Sequence, residues 1–383
     1  MNKKFTIPFA LTLAAVALVG CSSNKTKVEE IKPNKLPKIV QAKTLVPVFS
    51  EHVTATNKND PLRLQMAADN GVIFLVDPKG YVEAYKGKQR LWSTKITKKH
   101  GLSAGVEVGE GIAVVGNEKG ELFALDQTSG QIKWAAQLSG SIIAPSHIQA
   151  GRVITVSNDG NVYAHDVSTG QQLWTYRLPN VPFSLRGRAA PVMLDPNNVL
   201  IATSNSYVYI IDVISGVPRL QRRVSVAEGR SDVQRLNDIS GDPVMMGQYM
   251  VTTSYQGQVT VTDLSQQQVV WSEDASSDQR PEVTQNKVFV STTDGKVIAY
   301  DLMSGQKLWE NTQLLHRNLS NPVMLGSDLV VGDYEGALSL LDPNTGNLIG
   351  RSNTKGQVTS LRVIDNQLYV STQKGALSVW QNR

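Results

Sequence analysis

Short stretches of apolar or alternating apolar and polar residues, separated by turn-forming residues, follow one another along most of the chain. Residues 142–178 show the pattern in full, with four such stretches at residues 142–148, 152–157, 161–167 and 171–178. The second is rich in β-branched side chains, and Asn and Gly, which accept positive φ, stand in the turns. This pattern predicts four short β-strands joined by hairpins rather than a helix.

A polar phrase recurs within these units and fixes their period. It consists of a Gly, an Asp six residues later, then Ser or Thr followed by Gly, and finally Trp. Complete copies begin at Gly120, Gly160 and Gly295, and degraded copies fill the other intervals. The first position of the phrase falls at residues 80, 120, 160, 206, 257, 295, 336 and 375. A unit of about 40 residues cannot bury its apolar faces alone, so neighbouring units must cover one another.

Eight such units predict a closed ring. We therefore expect an all-β fold in which residues 44–383 form one eight-bladed β-propeller of four-stranded antiparallel blades. Residues 44–53 precede the first unit and have the character of a strand. We expect this segment to pair with the last unit, because that pairing closes the ring and removes two exposed strand edges.

The Trp that ends the phrase is predicted to be structural. Each Trp should lie on the outer strand of its blade and dock between blades, while the Asp and the Ser or Thr cap the preceding turn. The docking residues predicted in this way are Trp92, Trp134, Trp174, Trp271 and Trp309. Trp380 is out of phase with them and is expected on the third strand of the last blade.

Residues 1–20 do not follow this pattern. Two lysines at positions 3 and 4 precede an apolar run at residues 5–19, which is shorter than the roughly 20 residues that a membrane-spanning helix needs. This segment is therefore predicted to be a secretory signal peptide. Its end reads LVGC at residues 18–21 and resembles the bacterial lipobox, which implies cleavage before Cys21 and a lipid on the new N-terminus. A buried free thiol is the alternative, and the polar residues after Cys21 fit it poorly.

Cys21 is the only cysteine, so the mature chain can form neither a disulfide nor a cysteine-based metal or catalytic site. Ser22 follows it, and by the same lipobox resemblance a residue other than Asp here implies the outer membrane, with the protein facing the periplasm. Residues 21–43 are polar, rich in lysine and interrupted by prolines, and are predicted to form a tether that reaches about 25 Å as a flexible coil. Its lysines either approach anionic lipid headgroups or are simply solvated.

Charge argues against one class of partner. Removal of the signal peptide takes Lys3 and Lys4 away and lowers the formal net charge from +5 to +3. A domain that binds nucleic acid usually concentrates a stronger positive charge on one surface. No nucleic-acid partner is therefore predicted.

Two consecutive intervals between copies of the phrase are long, and their extra residues fall at 179–190 and 225–241. Both insertions precede the first strand of a blade, so both should emerge on the same face of the ring, where repeat arrays usually bind partners. Apolar anchors beside Arg are typical of interface centres. The predicted partner-binding residues are Phe183, Leu185, Arg186, Arg188, Arg235 and Asp238. A second interpretation, compatible with the first, is that Arg186 pairs with Asp238 and ties the two loops together.

Catalytic and metal-binding patterns are missing from the sequence. The five histidines have no metal-ligand spacing, and the Asp-Gly turns at residues 158–160 and 293–295 lack the alternating carboxylates of a calcium loop. Phosphate-binding and nucleophile-elbow sequences are also absent. We therefore predict no catalytic residue, no metal and no cofactor.

Two family resemblances add to this interpretation. The phrase at residues 124–134 and 299–309 resembles the repeat of quinoprotein (PQQ) alcohol dehydrogenases, which implies the propeller fold. Many of those enzymes carry adjacent cysteines near the quinone, whereas Cys21 stands alone outside the ring. A closer resemblance covers almost the whole chain, and it is to the lipoprotein propeller family of the outer-membrane β-barrel assembly (BAM) machinery. It rests on the lipobox, the eight repeats and the sequences at residues 184–187, 235–238, 314–317 and 320–323.

The closer resemblance implies a non-catalytic scaffold that assists the folding and insertion of outer-membrane barrels. In that family the first loop's Leu-Arg and the second loop's Asp are implicated in contacts with the periplasmic POTRA domains of BamA, and they match Leu185, Arg186 and Asp238 here. Ser240 stands where relatives often have an acidic residue, so a second carboxylate contact is not expected. Other BAM subunits and nascent barrel chains are further expected partners. The alternative function is that of a periplasmic PQQ-dependent dehydrogenase.

Overall fold

The structure is a computed structural model that describes residues 32–52, 64–96, 100–179, 189–203, 206–224, 238–239 and 241–383. Regular secondary structure in these ranges consists of 33 β-strands. In this part of the chain there is no helix that is long and apolar enough to cross a membrane. The strands form eight antiparallel sheets arranged as the blades of a β-propeller, as the repeat predicts.

The described chain enters the ring through β1 (Leu45–His52), and the other strands form blades one to eight in chain order. Blade one contains β2 (Ala67–Asp69), β3 (Val72–Val76), β4 (Tyr81–Lys86) and β5 (Gln89–Lys95). Blade two contains β6 (Glu107–Gly109), β7 (Ile112–Gly116), β8 (Glu121–Asp126) and β9 (Ile132–Gln137). Blade three contains β10 (His147–Gln149), β11 (Arg152–Val156), β12 (Asn161–Asp166) and β13 (Gln172–Arg177). Blade four contains β14 (Val192–Asp195), β15 (Asn198–Ala202), β16 (Tyr207–Asp212) and β17 (Pro218–Arg223).

Blade five has an additional short strand and contains β18 (Asp238–Ile239), β19 (Val244–Met246), β20 (Tyr249–Tyr255), β21 (Gln258–Asp263) and β22 (Gln268–Asp274). Blade six contains β23 (Glu282–Val283), β24 (Lys287–Ser291), β25 (Val297–Asp301) and β26 (Lys307–Asn311). Blade seven contains β27 (Val323–Leu325), β28 (Asp328–Gly332), β29 (Ala337–Leu341) and β30 (Leu348–Asn353). Blade eight contains β31 (Val358–Ile364), β32 (Gln367–Thr372) and β33 (Ala376–Asn382).

Blade eight is completed by the first strand of the described chain. β1 pairs antiparallel with β33, in a register that runs from Leu45 opposite Asn382 to His52 opposite Ala376. This pairing confirms the expected closure of the ring by the segment at 44–53, which the structure describes as far as His52. Trp380 lies on β33, the third strand of the blade, as predicted.

Apolar clusters hold neighbouring blades together, and each of the eight clusters of described residues contains side chains from two adjacent blades. The cluster between blades one and two, for example, joins Phe74 and Val82 to Ala113 and Val115. The second and third strands of a blade are apolar on both sides because each is covered by a neighbouring blade on either side. The outer strands alternate between exposed and partly buried positions, as β13 does.

The five repeated tryptophans lie at blade boundaries. Trp134 is 7% exposed, and its Nε1 donates a hydrogen bond of 2.9 Å to the carbonyl oxygen of Val167, in the β12–β13 turn of the next blade. The same bond recurs with lengths of 2.8–3.1 Å, always to the residue that follows the turn Asp of the next blade. The pairs are Trp92 with Gln127, Trp174 with Val213, Trp271 with Leu302 and Trp309 with Pro343.

The second Gly of the phrase, four residues after the Asp, allows the Trp of the previous blade to approach the turn. Gly170 has a φ of +72°, and a Cβ added to it would lie 2.6 Å from Cδ2 of Trp134. Blade four shows the converse, because Leu220 occupies the position of the Trp opposite Ile210. In the next blade the Gly position is taken by Gln267, which adopts a φ of +55°. The Trp of one blade and the Gly of the next therefore form a matched pair across the boundary.

Residues 33–43, which we call the strap, are the last part of the segment for which a flexible tether is predicted. They belong to the same compact unit as the propeller and lie along blade seven. Ala42 and Lys43 both donate backbone hydrogen bonds to the carbonyl oxygen of Ile349 on β30. Leu36 packs against the apolar cluster between blades six and seven. Cys21 and the rest of the predicted tether and signal peptide, up to residue 31, lie outside the described residues.

Candidate functional site

The two insertions leave the ring on the same face. The first connects β13 to β14 and the second connects β17 to β18, so each joins the outer strand of one blade to the beginning of the next. In a four-stranded meander this connection lies on the face that also carries the turn between the second and third strands. Five predicted partner residues, Phe183, Leu185, Arg186, Arg188 and Arg235, lie outside the described residues, as does Ser240.

The ends of both insertions converge on one apolar cluster. Ala189 lies near the end of the first insertion, Val224 immediately precedes the second, and Ile239 lies near the end of the second. All three are buried in the cluster between blades four and five, where they meet Leu200 and Met250. The bases of the two loops are therefore fixed on a common core.

A carboxylate joins the two bases directly. Asp242 Oδ1 accepts a hydrogen bond of 2.8 Å from the backbone N–H of Ala190, the last residue of the first insertion. Its Oδ2 accepts a hydrogen bond of 3.1 Å from Nε2 of Gln65, on the far side of the ring centre. Neither Asp242 nor Gln65 belongs to a motif that would mark it in the sequence. Only the position of Asp242 in the sequence, between the second insertion and the first strand of the main sheet of blade five, could have drawn attention to it.

Asp238 is placed by an extra strand pairing. β18 pairs with the end of β20, with Asp238 opposite Tyr255 and Ile239 opposite Ser254, while β19 pairs with the beginning of the same strand. The chain that leaves the second insertion is thus extended along β20, up to the turn that begins at Tyr255. This pairing sets the position of the Asp238 backbone on the loop face.

The start of the first insertion is also held. The hydroxyl of Tyr209 donates a hydrogen bond of 3.0 Å to the carbonyl oxygen of Pro179, the last described residue before that loop. Burial is the main reason that the pKa of Tyr209 is raised to about 12, and it keeps this hydroxyl protonated as a donor. Both ends of the first insertion are therefore hydrogen-bonded to the blades beside it.

The inner strands surround a cavity of about 920 Å³ that is lined by charged as well as apolar side chains. Arg280, Glu282 and Arg362 line it together with Asp242. Nearby, burial raises the pKa of Glu107 to about 7, although Arg362 opposes that shift. Burial also lowers the pKa of the Arg362 guanidinium. The centre of the ring is therefore a polar space whose charges partly neutralise one another.

This cavity does not fit a quinone–metal centre. Calcium needs six or more oxygen ligands, several of them from carboxylates. Across the parts of the chain that the structure describes, no three His, Cys, Asp or Glu side chains are grouped so that they could hold a metal ion. The carboxylates of the ring centre are instead engaged with Ala190, Gln65 and Arg362.

Comparisons with known proteins point to one family. A family model described as "Outer membrane protein assembly factor BamB" matches residues 69–311 and 280–383. The protein of that name from Burkholderia pseudomallei is 30% identical over 381 residues, covering 98% of this chain and 97% of its own. The one from Escherichia coli is 27% identical over 378 residues, covering 95% and 96%.

Solved structures agree with the sequence relatives. The crystal structure of BamB from Moraxella catarrhalis superimposes with a TM-score of 0.81 and 33% identity, covering 88% of this chain and 100% of its own. A europium-containing methanol dehydrogenase superimposes with a TM-score of 0.67 at 12% identity, covering 86% and 84%. That second likeness shows the propeller fold alone.

Proposed function

The chain belongs to the family of outer membrane protein assembly factors BamB, and we propose that it acts in that assembly as a non-catalytic scaffold. In this proposal the loops at residues 180–188 and 225–237 hold the POTRA domains of BamA. The observation that supports this proposal is the Asp242 carboxylate, which joins the bases of the only two long insertions on one face of the ring. We call these two insertions together the ledge.

The ledge suits binding because the described residues at the bases of its two loops are already held in place. Both loop bases are anchored in a buried cluster, and the first is hydrogen-bonded at its two ends. Pre-organised loops lose less conformational entropy on association than free ones. Residues that carry interface energy, namely apolar anchors and Arg, are concentrated in the loops themselves. Leu185 and Arg186 are our principal candidates in the first loop, and Asp238 is the acidic candidate at the end of the second.

The partner surface should be a small domain with an accessible sheet edge or acidic rim. A guanidinium can pair with carboxylates there, and aliphatic side chains can pack on an exposed strand. POTRA domains of BamA are the expected partners, and other BAM subunits and nascent barrel chains are further ones. Phe183, Arg188 and Arg235 extend the same mixture of apolar and basic groups along the loops.

Attachment to the membrane is proposed to depend on Cys21. A lipidated cysteine at the mature N-terminus would hold the propeller at the outer membrane, facing the periplasm. Lipoprotein processing places several acyl chains on one cysteine, and at least two membrane signals are needed for stable anchoring.

The test of the ledge is the double substitution Leu185→Ala with Arg186→Ala. We expect it to weaken BamA binding by about 2–4 kcal/mol, the scale of hot-spot truncations, without changing circular dichroism or melting. The matched control is Lys119→Ala with Lys374→Ala, because both lysines are exposed and both precede the first Gly of the phrase, on the loop face. Loss of BamA co-purification in the control, with binding retained in the loop pair, would remove the loops from the proposal.

Reconstitution with PQQ and calcium distinguishes a scaffold from a dehydrogenase. Purified protein mixed with PQQ and calcium should show neither quinone absorbance after gel filtration nor dye-linked alcohol oxidation. A scaffold predicts this result because the ring centre offers no grouped carboxylate ligands among the described residues. Substrate-dependent dye reduction would establish the enzyme instead.

A further inference from the structure

The strap, residues 33–43, is fastened to the propeller at both ends. Near its beginning, the backbone N–H of Asn34 donates a hydrogen bond of 3.0 Å to the carbonyl oxygen of Leu315. Near its end, Lys43 forms a parallel bridge with Gly350 on β30. A Cβ on Gly350 would lie 2.2 Å from the carbonyl oxygen of Lys43, so only glycine admits the strap there. Gly350 stands where complete repeats have the Trp.

A buried arginine secures the first of these ends. Arg317 is 2% exposed, and its Nε donates a hydrogen bond of 2.7 Å to Asp333. One terminal nitrogen donates to Glu335, and the other donates a bond of 2.8 Å to the carbonyl oxygen of Asn34. The guanidinium also stacks over the ring of Tyr334, 5.1 Å from its centroid. The strap thus completes the hydrogen bonding of a buried cation, which would be costly to leave unpaired.

The middle of the strap has two distinct sides. Leu36 and Ile39 are partly buried, and Leu36 packs on the cluster between blades six and seven. Lys35 and Lys38 are exposed, and neither forms an ion pair with a carboxylate in the described ranges. Val40 is 90% exposed, whereas the other large apolar side chains of the described residues are at most 52% exposed. Two ammonium groups that have no carboxylate partner among the described residues, and one aliphatic side chain, are therefore exposed within six residues of the strap.

We propose that this outer side of the strap rests against an anionic lipid bilayer and holds the propeller with blade seven nearest the membrane. The inference rests on the lipid at Cys21 in the proposed function. The chain from Cys21 to Asn34 spans at most about 45 Å when fully extended, so the strap must lie within that distance of the anchor. Lysines close to an anionic membrane surface are attracted to it, and an exposed valine can enter the headgroup region.

A fixed orientation follows from the ring. Blade three lies four blades from blade seven in either direction around a ring of eight, so it should be directed away from the bilayer. Blade four, three blades from blade seven, should then also lie towards the periplasmic side, whereas blade five, two blades away, should lie level with the ring centre. Without the strap, an anchored propeller would present any part of its rim to the membrane.

The test compares two matched fluorescent labels on the lipidated full-length protein. Asn347→Cys and Gln171→Cys place a label at the same exposed position of the repeat, five residues after the turn Asp, on blades seven and three. Cys21 is the only other cysteine, and its sulfur is blocked by the lipid. Each protein is reconstituted into phosphatidylethanolamine vesicles with a quarter phosphatidylglycerol and a quencher on the headgroups. We expect at least threefold stronger quenching of the label at 347 than of the label at 171.

A strap variant supplies the control. Lys35→Glu, Lys38→Glu and Val40→Ser together alter exposed groups only, so the protein should fold and float with the vesicles while the quenching ratio falls towards one. Equal quenching of both labels in the unaltered strap, with flotation intact, overturns the orientation and leaves the anchor standing. Failure to float overturns the anchor and the orientation together. Equal quenching combined with loss of BamA co-purification in the strap variant would assign the strap to an acidic protein surface instead.

Discussion

The contact between Trp134 and Gly170 gives a quantitative test of how the blades are joined. Gly170→Ala introduces two penalties. The first is a backbone penalty of about 1–2 kcal/mol, because an L-residue is strained at a φ of +72°. The second arises because the new Cβ would lie 2.6 Å from the indole ring, which is buried and hydrogen-bonded to Val167. Overpacking of this kind costs about 1–3 kcal/mol. We expect Gly170→Ala to destabilise the protein by about 2–5 kcal/mol.

Gly151→Ala separates the two penalties. Gly151 has the same φ of +72°, but a Cβ there would meet no atom within 4 Å. It should therefore cost only the backbone strain of about 1–2 kcal/mol. In a Trp134→Leu background, which reproduces the Leu220 and Gln267 arrangement of blades four and five, Gly170→Ala should cost no more than Gly151→Ala. The difference, about 1–3 kcal/mol, is the coupling energy of the pair.

Urea unfolding followed by far-ultraviolet circular dichroism measures these free energies, since that signal does not depend on the removed indole. Trp134→Ala provides the upper reference and should cost about 3–5 kcal/mol, as large buried aromatic side chains do. If Gly170→Ala and Gly151→Ala destabilise the protein equally, the reasoning fails, because the glycine would then be required by its φ alone. A melting midpoint unchanged by Trp134→Ala would show that the indole does not dock the blades.

Three further changes test the ring centre, the ledge and the anchor. Burial raises the pKa of Glu107 to about 7, so between pH 4.5 and 7 the folded protein retains a proton that the unfolded chain has released. The free energy of unfolding should therefore fall by up to about 3 kcal/mol as the pH rises between these values. Glu107→Gln should remove that fall in pH-dependent urea unfolding, and an unchanged profile would contradict the assignment. Asp242→Ala should lower the free energy of unfolding by about 1–3 kcal/mol and speed proteolysis within residues 180–188, because the N–H of Ala190 loses its acceptor. Asp242→Asn keeps an acceptor oxygen and should restore most of the stability and of the protease resistance. Identical proteolysis of Asp242→Ala, Asp242→Asn and the unaltered protein would show that this hydrogen bond does not hold the loop base. Cys21→Ser should yield a folded propeller in the soluble periplasmic fraction, and its recovery in salt-washed membranes from cells without BamA would show a second anchor.

The architecture could be predicted from the sequence because residues at fixed spacings within the repeat mark each blade boundary. The turn Asp, the Gly that follows it and the Trp of the previous blade lie at fixed spacings, and each has a direct steric or hydrogen-bonding role. Even the degraded copies are informative, since the loss of Trp at Leu220 is accompanied by the loss of Gly at Gln267. Ring closure by β1 was also predictable, because a strand-like segment stood before the first unit without a partner.

The strap and the tie between the loops could not be predicted in the same way. The strap lacks the alternation of a strand, and its main partner, Arg317, lies 283 residues from Asn34 along the chain. Asp242 acts through its hydrogen bonds to Ala190 and Gln65, which are brought together only by the closed ring. Contacts of this kind depend on where blades meet in space, and a periodic pattern contains no such information.

Closure of the ring by β1 and β33 also determines when this protein can finish folding. β1 must wait for a partner more than 300 residues further along the chain, and closing a loop of that length costs about 5 kcal/mol of chain entropy. A chain that is exported with its N-terminus first therefore assembles blades one to seven while β1 is still unpaired. During that interval the ring is an open arc with an unpaired strand edge, the kind of surface that promotes aggregation. In the proposed periplasmic location, chaperones should consequently engage this protein late in its export and release it only when the last strand has paired.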